Sequence, residues 1–324
     1  MKSKGSYGIG IDLGGTTFAV GVFDAEGGLV DRSSHDTPVT SSAEVVADAL
    51  AQAAREGMAL PQVAEGSVVG LAVGFPGPVD PEAGVVKKAP NLQCLAGYSL
   101  TKALSDRLGG LKVSLQNDAY CATLAELRWG AGKGSRNLLM LTLGTGIGGG
   151  IAIDGKVVRG PRQIMGEIGH MILDPAGRKC GCGNYGCFEA MAARDAIVEW
   201  AAREIQTGRP TQLLDLVEGD QRRLTPEIVS KAAQAGDAAA QEVYQRVGFY
   251  IGIGICNCIV MCDPDVVVLG GGIAEAGDVL FEPVRRTVKA RGLISGFDVS
   301  KIVSAQYKNL AGIYGAGALA WEQA

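Results

Sequence analysis

The sequence predicts an α/β protein of two similar halves with a cleft between them, and three observations carry that prediction. Strand-like runs alternate with helical runs, glycine turns recur where strands end, and one hairpin pattern occurs twice at an offset of 130 residues. Leu13 aligns with Leu143, Gly14 with Gly144 and Asp24 with Asp154 at that offset. The length of 324 residues suits two domains of about 150 residues each.

The elements follow in order. Tyr7 to Asp12 alternates as a strand, Leu13-Gly-Gly-Thr-Thr17 is a turn, and Phe18 to Phe23 is a second strand with a turn over Asp24 to Gly28. A helical stretch over Ser42 to Glu56, an apolar strand over Ser67 to Val73 and a Gly/Pro loop over Gly74 to Pro78 come next. A helix over Thr101 to Leu108 leads to a strand ending at Asn117-Asp118. The hairpin then recurs as Leu139 to Leu143, Gly144 to Gly148 and Gly149 to Ile153. Helices are predicted over Ala190 to Arg203, Pro226 to Gln245 and Val247 to Cys262, then a buried strand Asp265 to Leu269 closed by Gly270-Gly-Gly272, and a small-residue helix Ala311 to Trp321.

Composition narrows the function. With 47% apolar residues, 20% charged residues and a formal charge of -4, neither disorder nor a polyanion-binding surface is indicated. The 48 glycines have no Gly-X-Y period and only 12 prolines accompany them, so collagen and Pro-rich linkers drop out. Such glycines serve tight turns and close backbone approaches, which points to phosphate loops. Two uncharged 16-residue stretches, Leu138 to Ile153 and Val247 to Cys262, are short of a membrane span and read as buried elements. No signal-peptide core follows the polar N-terminus, and the eight cysteines do not form a disulfide framework, so a cytoplasmic location is expected.

Three constellations can carry chemistry. In Asp12-Leu-Gly-Gly-Thr-Thr17, amides bared by Gly14 and Gly15, with the Thr16 hydroxyl, can bind phosphate while Asp12 holds Mg²⁺ through water; a plain hairpin turn is the alternative. The second loop, Gly144-Thr145-Gly146-Ile-Gly-Gly-Gly150, matches Gly-x-Gly-x-x-Gly, but a strand follows it, so a dinucleotide site is not implied. At Asn117-Asp118 the carboxylate can accept a hydroxyl proton and the amide can orient that hydroxyl; an Asx turn or helix cap is the alternative. Finally, His170 with Cys180, Cys182 and Cys187 makes a Cys₃His set suited to a closed, structural Zn²⁺ site. Cys256, Cys258 and Cys262 read as small core residues, and His35 as a solvated side chain in a polar turn.

Together these motifs resemble the ROK family of sugar kinases and repressors. The resemblance runs from Ile9-Gly-Ile-Asp-Leu-Gly-Gly-Thr16 through Gly74-Phe-Pro-Gly-Pro-Val-Asp80, Ala89-Pro-Asn-Leu92, Asn117-Asp-Ala119, Leu143 to Gly150, Gly166-Glu-Ile-Gly-His170 and the cysteine segment to Gly270-Gly-Gly-Ile273. It implies the actin/hexokinase-like (ribonuclease H-like) duplicated fold, with domains at 1–120 and 121–310, the C-terminal helix 311–324 packed on the first, and the zinc segment 166–189 in the second. It further implies a glucokinase that uses ATP with Mg²⁺ to phosphorylate the 6-hydroxyl of glucose. Asp118 is then the general base, and Asn91, Asn117, Glu167, His170 and Glu189 hold the sugar. Asp12, Gly14, Gly15, Thr16, Gly144, Thr145, Gly146, Gly270, Gly271 and Gly272 serve the nucleotide, and loss of zinc should act through the sugar segment with little effect on the glycine loops. A homodimer or higher homo-oligomer is the family default. Other acceptors (fructose, mannose, N-acetylmannosamine, N-acetylglucosamine) and a non-catalytic sugar sensor are the alternatives, while a repressor would need a helix-turn-helix ahead of the first loop. Thr17 stands where many relatives have lysine, and Gln116 where acidic residues are frequent.

Overall fold

The computed structural model describes residues 5–38, 42–89, 92–294 and 296–322. Asn91, expected to hold sugar, lies outside the described residues. The chain divides into two compact units, residues 1–133 with 309–324, and residues 134–308.

In the first unit, strands β1 (Ser6–Leu13), β2 (Thr17–Phe23), β3 (Leu29–Asp36) and β4 (Ser67–Phe75) belong to the main sheet. A small hairpin of β5 (Val79–Asp80) and β6 (Val85–Val86) follows, and β7 (Val113–Asn117) completes the sheet in the order β3-β2-β1-β4-β7. β1 to β3 pair antiparallel, whereas β1, β4 and β7 run parallel. Helices α1 (Ala43–Met58), α2 (Pro61–Ala64), α3 (Leu100–Arg107) and α4 (Asp118–Arg128) complete this stretch. Val46, Leu50, Leu71, Val73, Leu100, Leu104 and Leu115 form part of one core.

The C-terminal helix, Ala311–Glu322, returns to this unit and packs against β1, β4 and α4. Much of the glycine excess is spent here rather than on phosphate loops. A Cβ on Gly10 would sit 2.4 Å from the Gly317 nitrogen, and one on Gly315 would sit 1.8 Å from the Cys121 carbonyl oxygen. Bare backbone therefore sets how closely this helix approaches the sheet and α4. The first unit extends through Lys133 rather than stopping near 120, because α4 packs on this helix.

The second unit repeats the plan. Strands β8 (Leu138–Leu143), β9 (Ile147–Ile153), β10 (Lys156–Val157), β11 (Val266–Gly270) and β12 (Ile302–Ser304) form a sheet in the order β10-β9-β8-β11-β12. An antiparallel hairpin again leads into parallel neighbours, so the duplication suggested by three identities is present in the topology. Helices α5 (Phe188–Ala192), α6 (Arg194–Gln206), α7 (Leu213–Leu216), α8 (Pro226–Gln234), α9 (Ala238–Cys262) and α10 (Asp278–Arg291) pack with it.

Where sequence and structure part, local chemistry explains the difference. One helix was expected over Pro226 to Gln245, but Gly236 takes a positive φ and the Asp237 carboxylate accepts the Ala240 N–H, starting a new helix. α9 then runs 25 residues, long and apolar enough to cross a membrane, yet Val243, Val247, Ile251, Ile255 and Ile259 bury one side of it in the core. Cys258 is buried, while Cys256 and Cys262 pack half-buried against the same core. β3 carries no strand signal in the sequence because Leu-Val-Asp-Arg-Ser-Ser-His-Asp is polar, as an edge strand permits. His35 lies in it, half-buried and stacked on Phe18 with ring centroids 5.0 Å apart, and is not the solvated turn residue expected.

Candidate active site

In the first unit the carboxyl ends of three parallel strands bring the expected residues together. Asp12 on β1 pairs in register with Gly74 on β4, and Gly74 with Gln116 on β7. Asp12 and the Gln116-Asn117-Asp118 run therefore share one edge two strands apart, about 10 Å at about 4.8 Å per strand. Ligands of open α/β sheets bind at such edges.

Each acid has a distinct setting. Asn117 caps α4, its side-chain oxygen accepting the Tyr120 N–H at 2.8 Å, so the helix cap that the sequence offered as the alternative reading of this pair is present. Asp118 follows at the first helical position, accepts the Ala119 N–H at 2.8 Å and keeps its side chain exposed. Desolvation nonetheless lifts its carboxyl above the ordinary range, outweighing the backbone hydrogen bonds that favour the charge. Asp12 is raised further, to about 6, chiefly by desolvation and then by repulsion from Asp118. Two partly desolvated carboxylates that feel each other attract a cation or a proton.

The Gly14–Thr16 turn is held by a residue the sequence did not single out. The buried Thr37 donates its hydroxyl to the Gly14 carbonyl at 2.9 Å and its N–H to the Thr16 carbonyl at 2.8 Å. Only the hairpin register, which sets Thr17 opposite Asp36, could have revealed it. Gln116 accepts the Asn117 N–H through its side-chain oxygen, while its buried side-chain nitrogen has no hydrogen-bond partner.

The second unit gathers the remaining residues around β8 and β9. Gly144–Gly146 closes the hairpin, with the Gly144 N–H donated to the Gly146 carbonyl at 2.9 Å. Gly270 pairs with Thr142, and Gly271, at φ +85°, would place a Cβ 2.3 Å from the Leu143 carbonyl oxygen. Gly270–Gly272 and Gly144–Gly146 are thus neighbours, and only glycine fits the contact between them. The Glu167 to His170 segment lies on β9, where a Cβ on Gly169 would fall 2.1 Å from the Ile147 carbonyl oxygen. Glu189, on the first turn of α5, accepts the Ile147 N–H at 3.0 Å.

Ligand atoms of His170, Cys180, Cys182 and Cys187 all lie within 4.8 Å of one another. The Cys182 and Cys187 sulfurs are 3.7 Å apart, and Cys180 Sγ is 3.8 Å from His170 Nδ1. A zinc–sulfur bond of about 2.3 Å gives a tetrahedron an edge of about 3.8 Å, so the donors fit that metal. Burial pushes the Cys187 thiol up to about 12 and raises Cys180 as well, whereas the Asn184 backbone hydrogen bond lowers Cys182. Three adjacent thiols cannot ionise together without a cation. Arg178, within this segment, forms an ion pair with Glu199 on α6.

A two-unit α/β protein with paired carboxylates on one sheet edge and glycine turns on both hairpins suits phosphoryl transfer to a hydroxyl. The chain belongs to the ROK family, whose model matches residues 8–323. Glucokinase from Streptomyces coelicolor is 35% identical over 318 residues, covering 97% of each chain. Among solved structures, a ROK hexokinase from Thermus thermophilus matches with a TM-score of 0.80 and 35% identity, covering 98% of both chains. A ROK family glucokinase from Streptomyces griseus, in complex with glucose and AMPPNP, matches with a TM-score of 0.77 and 32% identity over 98% of this chain and 99% of that one. The actin/hexokinase-like fold expected from the motifs is the fold observed.

Proposed function

We propose that the protein is a glucokinase, transferring the γ-phosphoryl group of ATP to the 6-hydroxyl of glucose. The observation that carries the reading is the pair Asp12 and Asp118 on one strand edge, both lifted by desolvation. Asp118 is the general base: it takes the hydroxyl proton as the oxygen attacks phosphorus, and a raised pKa makes it a better acceptor. Asn117, Asn91, Glu167, His170 and Glu189 position the sugar. The turns Gly14–Thr16 and Gly144–Gly146 receive phosphates on their amides, with Gly270–Gly272 beside the adenosine. Magnesium, bound with ATP, supplies charge neutralisation on the phosphates, and Asp12 is the carboxylate that would hold it.

Zinc on His170, Cys180, Cys182 and Cys187 would be structural, since four protein donors leave no position for water. His170 presents Nδ1 to the sulfurs, which leaves Nε2 for a sugar hydroxyl. The glucokinase relatives and the bound glucose and AMPPNP in the Streptomyces griseus enzyme support the choice of substrates. Eight free cysteines support a reducing, cytoplasmic setting. Self-association as a homodimer or higher homo-oligomer is supported by exposed large apolar side chains, Val260 and Met261 on α9 and Leu293 and Ile294 after α10, which are 75% to 97% exposed.

A coupled assay across a sugar panel tests the reading. Glucose with ATP and Mg²⁺ should give the highest kcat/KM, because a buried group left unpaired by a wrong sugar costs several kcal/mol. A higher value for fructose, mannose, N-acetylmannosamine or N-acetylglucosamine would overturn the glucose assignment, and activity with polyphosphate but not ATP would overturn the donor.

A further inference from the structure

Glu189 holds two parts of the second unit at once. Its Oε1 lies 3.6 Å from the Cys180 sulfur, and its Oε2 accepts the Ile147 N–H at 3.0 Å. Ile147 is where the chain leaves the Gly144–Gly146 turn for β9. The turn is fitted to this carboxylate, since a Cβ on Gly146 would sit 2.3 Å from Oε2. At the other end of the turn, the Gly144 carbonyl accepts the Arg194 N–H at 3.1 Å, from the start of α6. Both ends of the glycine turn therefore hang on the α5–α6 segment, and that segment begins at Cys187, one of the four candidate ligands.

We propose that Glu189 is a positioning residue that couples the cysteine–histidine cluster to the Gly144–Gly146 turn, so that an ordered cluster strengthens phosphate binding at the turn. The proposal rests on the kinase reading only for what the turn binds. A turn captures an anion when its amides are already oriented, and a carboxylate-to-amide hydrogen bond is among the stronger means of orienting them. Cys187, one of the candidate ligands, is the residue from which α5 starts, so an ordered cluster fixes the start of the helix that carries Glu189. The Cys180 S–H that faces Oε1 would be given up by a thiolate on the metal, so the support runs through α5: loosening the cluster frees the helix start, and the carboxylate that fixes Ile147 loses its own support. Zinc loss should then reach the nucleotide as well as the sugar, unlike the expectation drawn from the motifs alone. By linkage, the nucleotide should tighten zinc retention by the same factor.

Two readouts test this, and neither is turnover of the zinc-loaded enzyme. The first is hydrogen exchange at the Ile147 amide in protein loaded with Zn²⁺, stripped by a chelator and reloaded. The second is the affinity for AMPPNP by calorimetry in the same states. In wild type, stripping should speed Ile147 exchange and weaken AMPPNP binding, each by about tenfold, within the usual range of site-to-site coupling. Glu189→Ala should show both changes while loaded with zinc and respond no further to stripping. Glu189→Gln, whose side-chain oxygen can still accept the Ile147 N–H, should stay within about threefold of wild type. Unchanged Ile147 exchange on stripping would overturn the proposal, as would a Glu189→Ala protein as sensitive to stripping as wild type. Exchange needs no ligand, so a wild type that ignores AMPPNP would count against the kinase reading alone. If circular dichroism shows Glu189→Ala unfolded, the wild-type response and Glu189→Gln decide.

Discussion

Replacing Asp12 with Asn should stabilise the protein above neutral pH while abolishing most of its activity. The Asp12 carboxyl titrates at about 6 instead of 3.8, chiefly because the protein desolvates it and secondarily because Asp118 repels it. A folded state that binds this proton more tightly than the unfolded chain loses stability as pH rises from about 4 to about 6, and stays lower above that window. At about 1.4 kcal/mol per unit, the shift corresponds to about 3 kcal/mol. Asparagine carries no charge at any of these pH values, so the variant should gain about 1.5 to 3 kcal/mol at pH 7.5 and nothing at pH 4, where wild type is largely protonated. At about 2 to 4 °C per kcal/mol, the gain is several degrees in Tm. Thermal unfolding of both proteins from pH 4 to 8 in magnesium-free buffer measures it. Because desolvation is the larger cause, Asp118→Asn should keep most of the wild-type pH dependence. A Tm difference between Asp12→Asn and wild type that is flat with pH, or a variant less stable than wild type at pH 7.5, would refute the reasoning.

The other consequences can be checked with standard measurements. Purified protein should contain one zinc per chain by elemental analysis, and Cys182→Ala should lose it, lowering Tm and glucose affinity together; full zinc content in active Cys182→Ala would remove Cys182 from the ligand set. Gly315→Ala should cost about 2 to 4 kcal/mol in urea unfolding, since its Cβ would fall 1.8 Å from the Cys121 carbonyl oxygen, a backbone atom that cannot swing aside. A cost under about 1 kcal/mol would mean that the C-terminal helix and α4 separate easily.

How much of this was legible depended on whether the signal was local. The two hairpins, their glycine turns and the Asn117–Asp118 strand end could be read directly, because alternation and turn chemistry act over a few residues. The grouping of His170 with Cys180, Cys182 and Cys187 was legible for the same reason, the three cysteines falling within eight residues. α10 was missed: Pro283 lies inside it and breaks the pattern that would announce a helix. The split at Gly236-Asp237 carried a readable signal, a glycine followed by a capping carboxylate, but the apolar run on both sides masked it. Thr37 and the Ile147 amide stayed hidden because their partners, Gly14 and Glu189, are 23 and 42 residues away. The glycines that bring the C-terminal helix onto β1 could not be told from loop glycines without the sheet they face.

The most direct test of the central claim is product formation by Asp118→Asn beside wild type, with glucose, ATP and Mg²⁺, followed by phosphorus NMR and a coupled assay. Wild type should convert ATP and glucose to ADP and glucose 6-phosphate in equal amounts. The variant, folded by circular dichroism and binding glucose normally, should show kcat lower by about 10² to 10⁴, because an amide cannot accept the hydroxyl proton. No glucose 6-phosphate from wild type, or a kcat for Asp118→Asn within tenfold of it, would contradict the account.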